Sequence, residues 1–494
     1  MNKKFKHLRE FRVDRKNNDS YGISLNIKEC ITDFTNQEQY IELINEFSKV
    51  LKVPTEVIQK KSNQIISGYF DYRVGKFKKI FNSFFILKDL LIYFGILNWG
   101  ILFSKKINLV KTTDIIIDDI SDHLSYNRHI KLMSLFRSCL VFTNGIIGRL
   151  KFNSAATTIS IKKLFLFNKD CLNNNKFKQY KFLIKLIYFS FKFNFNFFLI
   201  FKIVLYTSCK YKTFFSMYKA KYLLHDRFYR TCPIRNYYFK DNGGLISACT
   251  QKNICCSTIS LFMNIDTLFT LGDEKHTKKR LLELGGDVSE TIPVGSLFME
   301  HDWFTAGEDL IDVPSVDIII LGLNHNTWLD INDANNINYL KTTLDWIKQI
   351  SLEFPKYKIL IKHHANLKNN KYEETYFKEA NVETLIKTKS MNASYGYLQK
   401  SKIAFSFAST MVLEGISLDN QCFYIDPNLN GTCFFKGLDH ISEIRIKSYD
   451  EFKEQIVNVI EKGIKKQLNK SFFCLKSDKT SNRIYEHLSN KSKW

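Results

Sequence analysis

Asp317-Ile-Ile-Ile-Leu-Gly-Leu323, Tyr357-Lys-Ile-Leu-Ile-Lys-His-His364 and Ile403-Ala-Phe-Ser-Phe-Ala-Ser-Thr410 are three short apolar runs, each closing on small or polar residues. Runs of this length, rich in β-branched and aromatic side chains, predict buried strands. Helical spacing fills the gaps: Asn336 to Phe354, Met391 to Lys400, and a helix after Thr410 to about Leu418. A strand at Gln421 to Ile425 and a closing helix from Ser448 follow. Ser448 and Glu451 form a capping box ahead of Phe452, Ile456 and Ile460. Strands alternating with helices predict a doubly wound parallel sheet, which takes its ligands at the carboxyl ends of its strands.

Three such ends then share one rim: the polar loop Asn324-His325-Asn-Thr327, the pair His363-His364, and Ser409-Thr410 with Glu414 one turn into the next helix. Hydroxyls and backbone N–H groups at a strand-to-helix turn favour phosphate, and imidazoles can donate to the same oxygens. Glu414 could accept from ribose hydroxyls. Taken singly, a Ser-Thr pair is also a helix cap and a strand-end histidine is also a packing residue. Their order and spacing point to a diphosphate site.

Working back along the chain, Thr267 to Gly272, Gly244 to Thr250, Tyr222 to His225 and Asp114 to Asp118 read as further strands. A helix is expected from about Asn127 to Phe142, then a long helical stretch to about Tyr218. Helix Glu274 to Leu284 with Gly285-Gly286 leads to Ile292-Pro-Val-Gly295. Asn36 to Leu51 is helical by spacing, and Pro54 restarts a second helix. Candidate acceptor bases stand at strand ends: Asp119, beside Asp118 and His123, and the pair His225 and Asp226. Arg227, Arg230 and Arg235 follow, as ligands for an acceptor phosphate or as partners of surface acids.

At 494 residues the chain has room for roughly three domains or two with extensions, and 45% hydrophobic content excludes a disordered or collagen-like class. Eleven cysteines, with no Cys-x-x-Cys, predict a reducing compartment. The amino-terminal residues carry no apolar core, so no secretory signal is expected, and the uncharged run Leu90 to Ser104 is short for a bilayer span. The net charge of +23 is uneven. Ile161 to Ala220 holds 12 lysines against one acid, Asp170, interleaved with large aromatics. Two readings stand level: a peripheral helix on an anionic membrane surface, or a buried helix pair with solvated lysines. The lack of arginine there argues against nucleic acid. His301 to His440 holds 17 acids against 13 lysines, which sets a boundary near residue 305.

Lys362-His363-His364 and, about 30 residues on, Tyr397 to Pro427 with its Ser-Thr, its Glu-bearing helix and its following strand resemble the donor half of GT-B glycosyltransferases of bacterial surface polysaccharide synthesis (capsule or lipopolysaccharide). Gly243-Gly244, Asp266 to Gly272 and Pro293-Val-Gly295-Ser296 resemble the end of such an enzyme's first domain. Ala365 stands where the family has proline, and Asp419-Asn420-Gln421 where it has Gly-Lys-Pro; of the two imidazoles, His364 is taken as donor-facing. The resemblance implies a GT-B-like α/β fold of two Rossmann-like domains facing a cleft. The resemblance covers about 310–470 and, more loosely, 220–300; spacing and charge complete the division into a helical extension (1–105), an acceptor domain (106–305) with the basic aromatic insert (161–220), a donor domain (306–470) and a basic tail (471–494). It implies a metal-independent glycosyltransferase, with no cofactor beyond its nucleotide-sugar donor and a saccharide or lipid-linked acceptor; the cytoplasm is the expected place, and the membrane reading of the basic stretch would set the protein peripherally at the inner face of the membrane. A CDP-glycerol-type phosphotransferase and a non-catalytic binding protein share the half-pattern.

Overall fold

The apolar runs become strands of two parallel sheets in the computed structural model, which describes residues 20–70, 83–102, 110–120, 123–143, 157–160, 176–226, 231–252, 260–272, 274–305, 313–322, 334–363, 371–385, 393–406, 409–427 and 439–491. The first sheet contains β1 (Lys111–Ile120), β2 (Cys139–Thr143), β3 (Thr157–Ser160), β4 (Tyr218–His225), β5 (Ile246–Thr250), β6 (Asn264–Thr270) and β7 (Asp287–Pro293), in the order β3-β2-β1-β4-β5-β6-β7. The second contains β8 (Val316–Leu321), β9 (Ile359–Lys362), β10 (Val382–Leu385), β11 (Ser401–Ser406), β12 (Gln421–Ile425) and β13 (Arg445–Ile446), in the order β10-β9-β8-β11-β12-β13. Each sheet starts in its middle, winds to one edge and returns to wind to the other. The order therefore reverses between β1 and β4 and between β8 and β11, giving the expected α/β architecture of two doubly wound domains.

Parallel neighbours need helical crossovers that cover both faces, which is why the central strands are apolar throughout. Ile115, Ile116, Ile117, Ile318, Ile319 and Ile320 are all buried. Two expectations fail for the same reason. Cys139-Leu-Val-Phe-Thr143, expected within a helix, is β2, and β3 interrupts the stretch expected to be helical to Tyr218. A buried parallel strand and a buried helical segment share one apolar pattern, and length alone separates them poorly. Asp287 to Pro293 pairs with β6 as β7, a strand the sequence reading passed over.

The amino-terminal helices are not an appendage. α1 (Ser20–Thr35), α2 (Glu38–Leu51), α3 (Thr55–Phe70) and α4 (Ser83–Leu102) share one core with α7 (Lys176–Lys192), α8 (Phe197–Met217) and the sheet residues Ile116, Phe142 and Leu223. Phe47 of α2 stacks on Phe182 of α7 with ring centroids 4.7 Å apart and meets Phe201 of α8 edge-on at 5.0 Å. α8 is apolar on nearly every side because neighbours surround it. Its start is fixed by Asn196, whose Oδ1 accepts from Leu199 N–H at 3.2 Å, and its Lys202 pairs with the buried Asp89 of α4. The aromatics of α8 therefore serve the core, which settles that half of the basic stretch as buried helix.

The carboxy-terminal segment is likewise not a tail. Helix Thr480–Lys491 returns to the first domain, where Ile484 and Leu488, four residues apart on one face, join Ile115, Leu224 and Val294. Tyr485 meets Phe136 edge-on at 5.0 Å, and Ser481 N–H donates to Glu300 at 3.0 Å.

Candidate functional site

Asp118 is paired in register with His225, so the adjacency of β1 and β4 brings the two sets of first-domain candidates together. Asp119 and Asp226 follow at the strand ends, and Asp226 N–H donates to Asp118 C=O at 3.1 Å. Asp119 holds a left-handed backbone, φ 70°, a conformation that aspartate tolerates better than most residues. All of these side chains are buried: Asp118 at 2%, Asp119 at 1%, His225 and Asp226 at 0% exposure. Buried carboxylates need compensation. Arg235, on α9 (Pro233–Asp241), pairs with Asp118, and Lys252 donates to Asp226 Oδ2 at 2.9 Å. Arg235 thus serves a buried acid, not a surface one. Arg227 and Arg230 lie outside the described residues.

His225 donates from Nε2 to Asn236 Oδ1 at 3.3 Å. Burial, then the nearby Arg235, hold its pKa well below the usual imidazole value, so it is neutral at pH 7. His129, which precedes α6 (Ile130–Ser134), donates from Nδ1 to Ser125 C=O at 2.7 Å and turns Nε2 toward Asp226 Oδ1 at 3.7 Å. Burial also lowers its pKa. Among the described residues no three His, Cys, Asp or Glu side chains gather as a metal-binding group.

In the second sheet, Leu321 pairs with both Lys362 and Ser406, so the ends of β8, β9 and β11 lie side by side. Gly322 closes β8 at φ 78°, and a Cβ there would stand 3.2 Å from Ser409 Cβ, so the turn after β11 packs directly on the end of β8. Ser406 Oγ donates to Leu321 C=O at 2.7 Å and accepts from Ser409 N–H at 3.0 Å. Tyr424 O–H donates to Ser409 C=O at 2.9 Å, fixing the turn from β12. Ser409 and Thr410 are half-buried, with Thr410 opening the short helix Met411–Ile416 and making no side-chain cap bond to it. His363 is 2% exposed, its N–H donates to Leu385 C=O at 2.9 Å, and its Nε2 lies 4.0 Å from Glu373 Oε1. It is a packed histidine. Burial pushes the Glu373 carboxyl up to about 7. Asn324, His325 and His364 lie outside the described residues.

Glu414 does not face this rim. It is 5% exposed; Oε2 accepts from Tyr395 O–H at 2.8 Å and Oε1 from Ser296 Oγ. Ser296 belongs to the first domain's last turn, where its Oγ also accepts from Met299 N–H at 3.1 Å to cap α11 (Leu297–Thr305). A ribose hydroxyl would have to compete with both partners, so the geometry assigns Glu414 to the joint between domains. α11 touches both domains. Its Phe298 ring lies under Arg128 (3.9 Å) and Lys252 (4.2 Å) of the first, while Met299 joins the core of the second.

Sequence reasoning missed Glu373, Tyr395, Lys252 and His129, and took Ser296 only as a motif residue. Each meets a partner ten or more positions away in the chain. The signal available was residue type alone: polar or ionisable side chains, which are rarely fully buried unless paired.

No protein-family model and no curated protein matches this chain. Among solved structures, the chain is similar to the UDP-GlcNAc 2-epimerase from Neisseria meningitidis bound to UDP-GlcNAc, at 10% identity and TM-score 0.46, over 76% of this chain and 100% of that one. It is similar to the α,α-trehalose-phosphate synthase (UDP-forming) from Burkholderia vietnamiensis at 8% identity and TM-score 0.38, over 76% and 96%. It is also similar to the wall teichoic acid polymerase TagF at 11% identity and TM-score 0.39, over 85% and 98%. Strand order and register, rather than these likenesses, establish the architecture.

Proposed function

We propose that the protein is a metal-independent glycosyltransferase that moves a sugar from a nucleotide-sugar donor to a saccharide or lipid-linked acceptor in surface polysaccharide synthesis. One observation carries the reading. In both sheets the crevice where strand order reverses is the place where polar, chemistry-bearing residues collect.

The half-buried hydroxyls of Ser409 and Thr410, with the residues after β8 and β9, including Asn324, His325 and His364, would hold the diphosphate. Asp119 is the acceptor base in this reading, in preference to His225, whose Nε2 is bonded to Asn236, and to Asp226, which is committed to Lys252. The acceptor hydroxyl would give its proton to Asp119 as its oxygen bonds to the anomeric carbon. The bond from that carbon to the phosphate oxygen breaks, and the nucleoside diphosphate leaves with the electron pair, stabilised by donors aimed at its new charge. The proposed place of action is the cytoplasm, at the inner face of the membrane.

Thermal stabilisation by a panel of sugar nucleotides tests the reading, because a selective ligand raises stability by mass action. One donor should raise the melting temperature and release its nucleoside diphosphate on addition of acceptor. Indifference to every donor would refute the reading, while release of a nucleoside monophosphate with polyol phosphate transfer would replace it with the phosphotransferase.

A further inference from the structure

We infer that α4 and α7 together form the face that seats the protein on an anionic lipid bilayer. The inference rests on the membrane part of the reading above and not on its donor chemistry.

α7 has two apolar faces. The inner one, Phe182, Leu183, Leu186 and Phe189, is buried in the core. The outer one, Phe177, Ile184, Tyr188 and Phe191, is exposed at 81%, 68%, 55% and 57%. These four follow helical spacing and fall within an arc of about 60°. α4 repeats the pattern: Ile86, Tyr93 and Leu97 face inward, while Leu87, Leu91 and Phe94, at i, i+4 and i+7, are exposed at 54%, 64% and 46%. Both helices belong to the core built around α8, and Tyr180 of α7 donates to Asn98 of α4 at 2.8 Å. Asn98 continues the α4 stripe, and Tyr180 lies one turn from both Phe177 and Ile184, so this bond joins the two stripes. Isolated exposed apolar residues need no explanation; seven aligned on two neighbouring helices mark an interaction surface.

Charge identifies the occupant. α7 contains no acid, and the one acid of α4, Asp89, is buried against Lys202. Lys88, Lys178, Lys181 and Lys192 are exposed beside the stripes. Lys185, at the edge, pairs with Glu42 and Glu46 of α2. A second copy of this chain would set lysines against lysines, whereas an apolar interior topped with anionic headgroups satisfies both the rings and the ammonium groups. No helix among the described residues is long and apolar enough to cross a membrane, so the face lies on the bilayer rather than through it.

Flotation of the full chain with vesicles of phosphatidylcholine alone, or mixed with phosphatidylglycerol, tests this. Binding should require the anionic lipid and weaken as salt rises. Lys178→Gln, Lys181→Gln and Lys192→Gln together should weaken it about 100-fold, at roughly fivefold per lysine. Leu91→Ser, Ile184→Ser and Phe191→Ser together should abolish it with an unchanged melting temperature. Leu352→Ser, at an exposed leucine of the second domain, should bind as the wild type does. Failure to float with the mixed vesicles, or retained flotation in both triple variants, overturns the inference. So does a dimer in solution that the serine variant dissolves, which would give the face to a second copy. Donor stabilisation measured on the same preparation separates the two readings: it should persist in variants that no longer float.

Discussion

Replacing Glu373 by glutamine should stabilise the protein at high pH and leave it unchanged at low pH. The carboxyl sits at 0% exposure beside His363, and burial carries it from the ordinary 4.5 to about 7. Below pH 4.5 it is protonated in both folded and unfolded chains and costs nothing. Between 4.5 and 7 the folded chain keeps a proton that the unfolded chain has released, so stability falls as pH rises. Above 7 both are ionised and the full cost of about 3 kcal/mol is present. Glutamine has nearly the same shape and no charge to lose. Urea denaturation of both proteins between pH 4.5 and 8 should show a difference growing from near zero to about 3 kcal/mol in favour of Glu373→Gln, with the denaturant slope unchanged. A difference that does not vary with pH, or a variant less stable at pH 8, would refute the reasoning.

Asp119→Asn should fold normally, because asparagine also accepts the left-handed backbone at φ 70°, yet lose sugar transfer by about 10²- to 10⁴-fold as a missing base does. Turnover within threefold of wild type would remove Asp119 from the chemistry. Ser296→Ala takes from Glu414 a hydrogen bond to its buried carboxylate and from α11 its cap, a cost of about 2–4 kcal/mol in a denaturation experiment. In a double-mutant cycle with Glu414→Gln the pair should couple by about 1 kcal/mol or more. Simple additivity would mean that the contact between domains contributes nothing.

The second domain was the most legible part of the chain, and the reason is physical. Asp317 to Leu323, Tyr357 to Lys362 and Ile403 to Phe407 are apolar runs separated by well-marked helices, so period and length agree. Their side-by-side placement follows from winding rules alone. In the first domain the same rules gave β1, β4, β5 and β6, but β2 was hidden because Cys139 to Thr143 is as apolar as a buried helix. The amino-terminal helices read as an extension because nothing local says that Phe47 will stack on Phe182, 135 positions on. Glu414 was placed at the rim by its spacing from Thr410, and a tertiary contact with Ser296 overrode that spacing. Of the pair His363 and His364, the first packs against Glu373.

In the proposed function the ends of β8, β9 and β11 hold the diphosphate of a sugar nucleotide. Calorimetric titration of wild type, Ser409→Ala and Thr410→Val with the donor that stabilises the protein most tests it directly. Each lost hydroxyl should weaken binding at least tenfold, as expected for a hydrogen bond to a charged group, while Leu352→Ser should bind as wild type. Equal affinity in all four proteins would place the donor elsewhere.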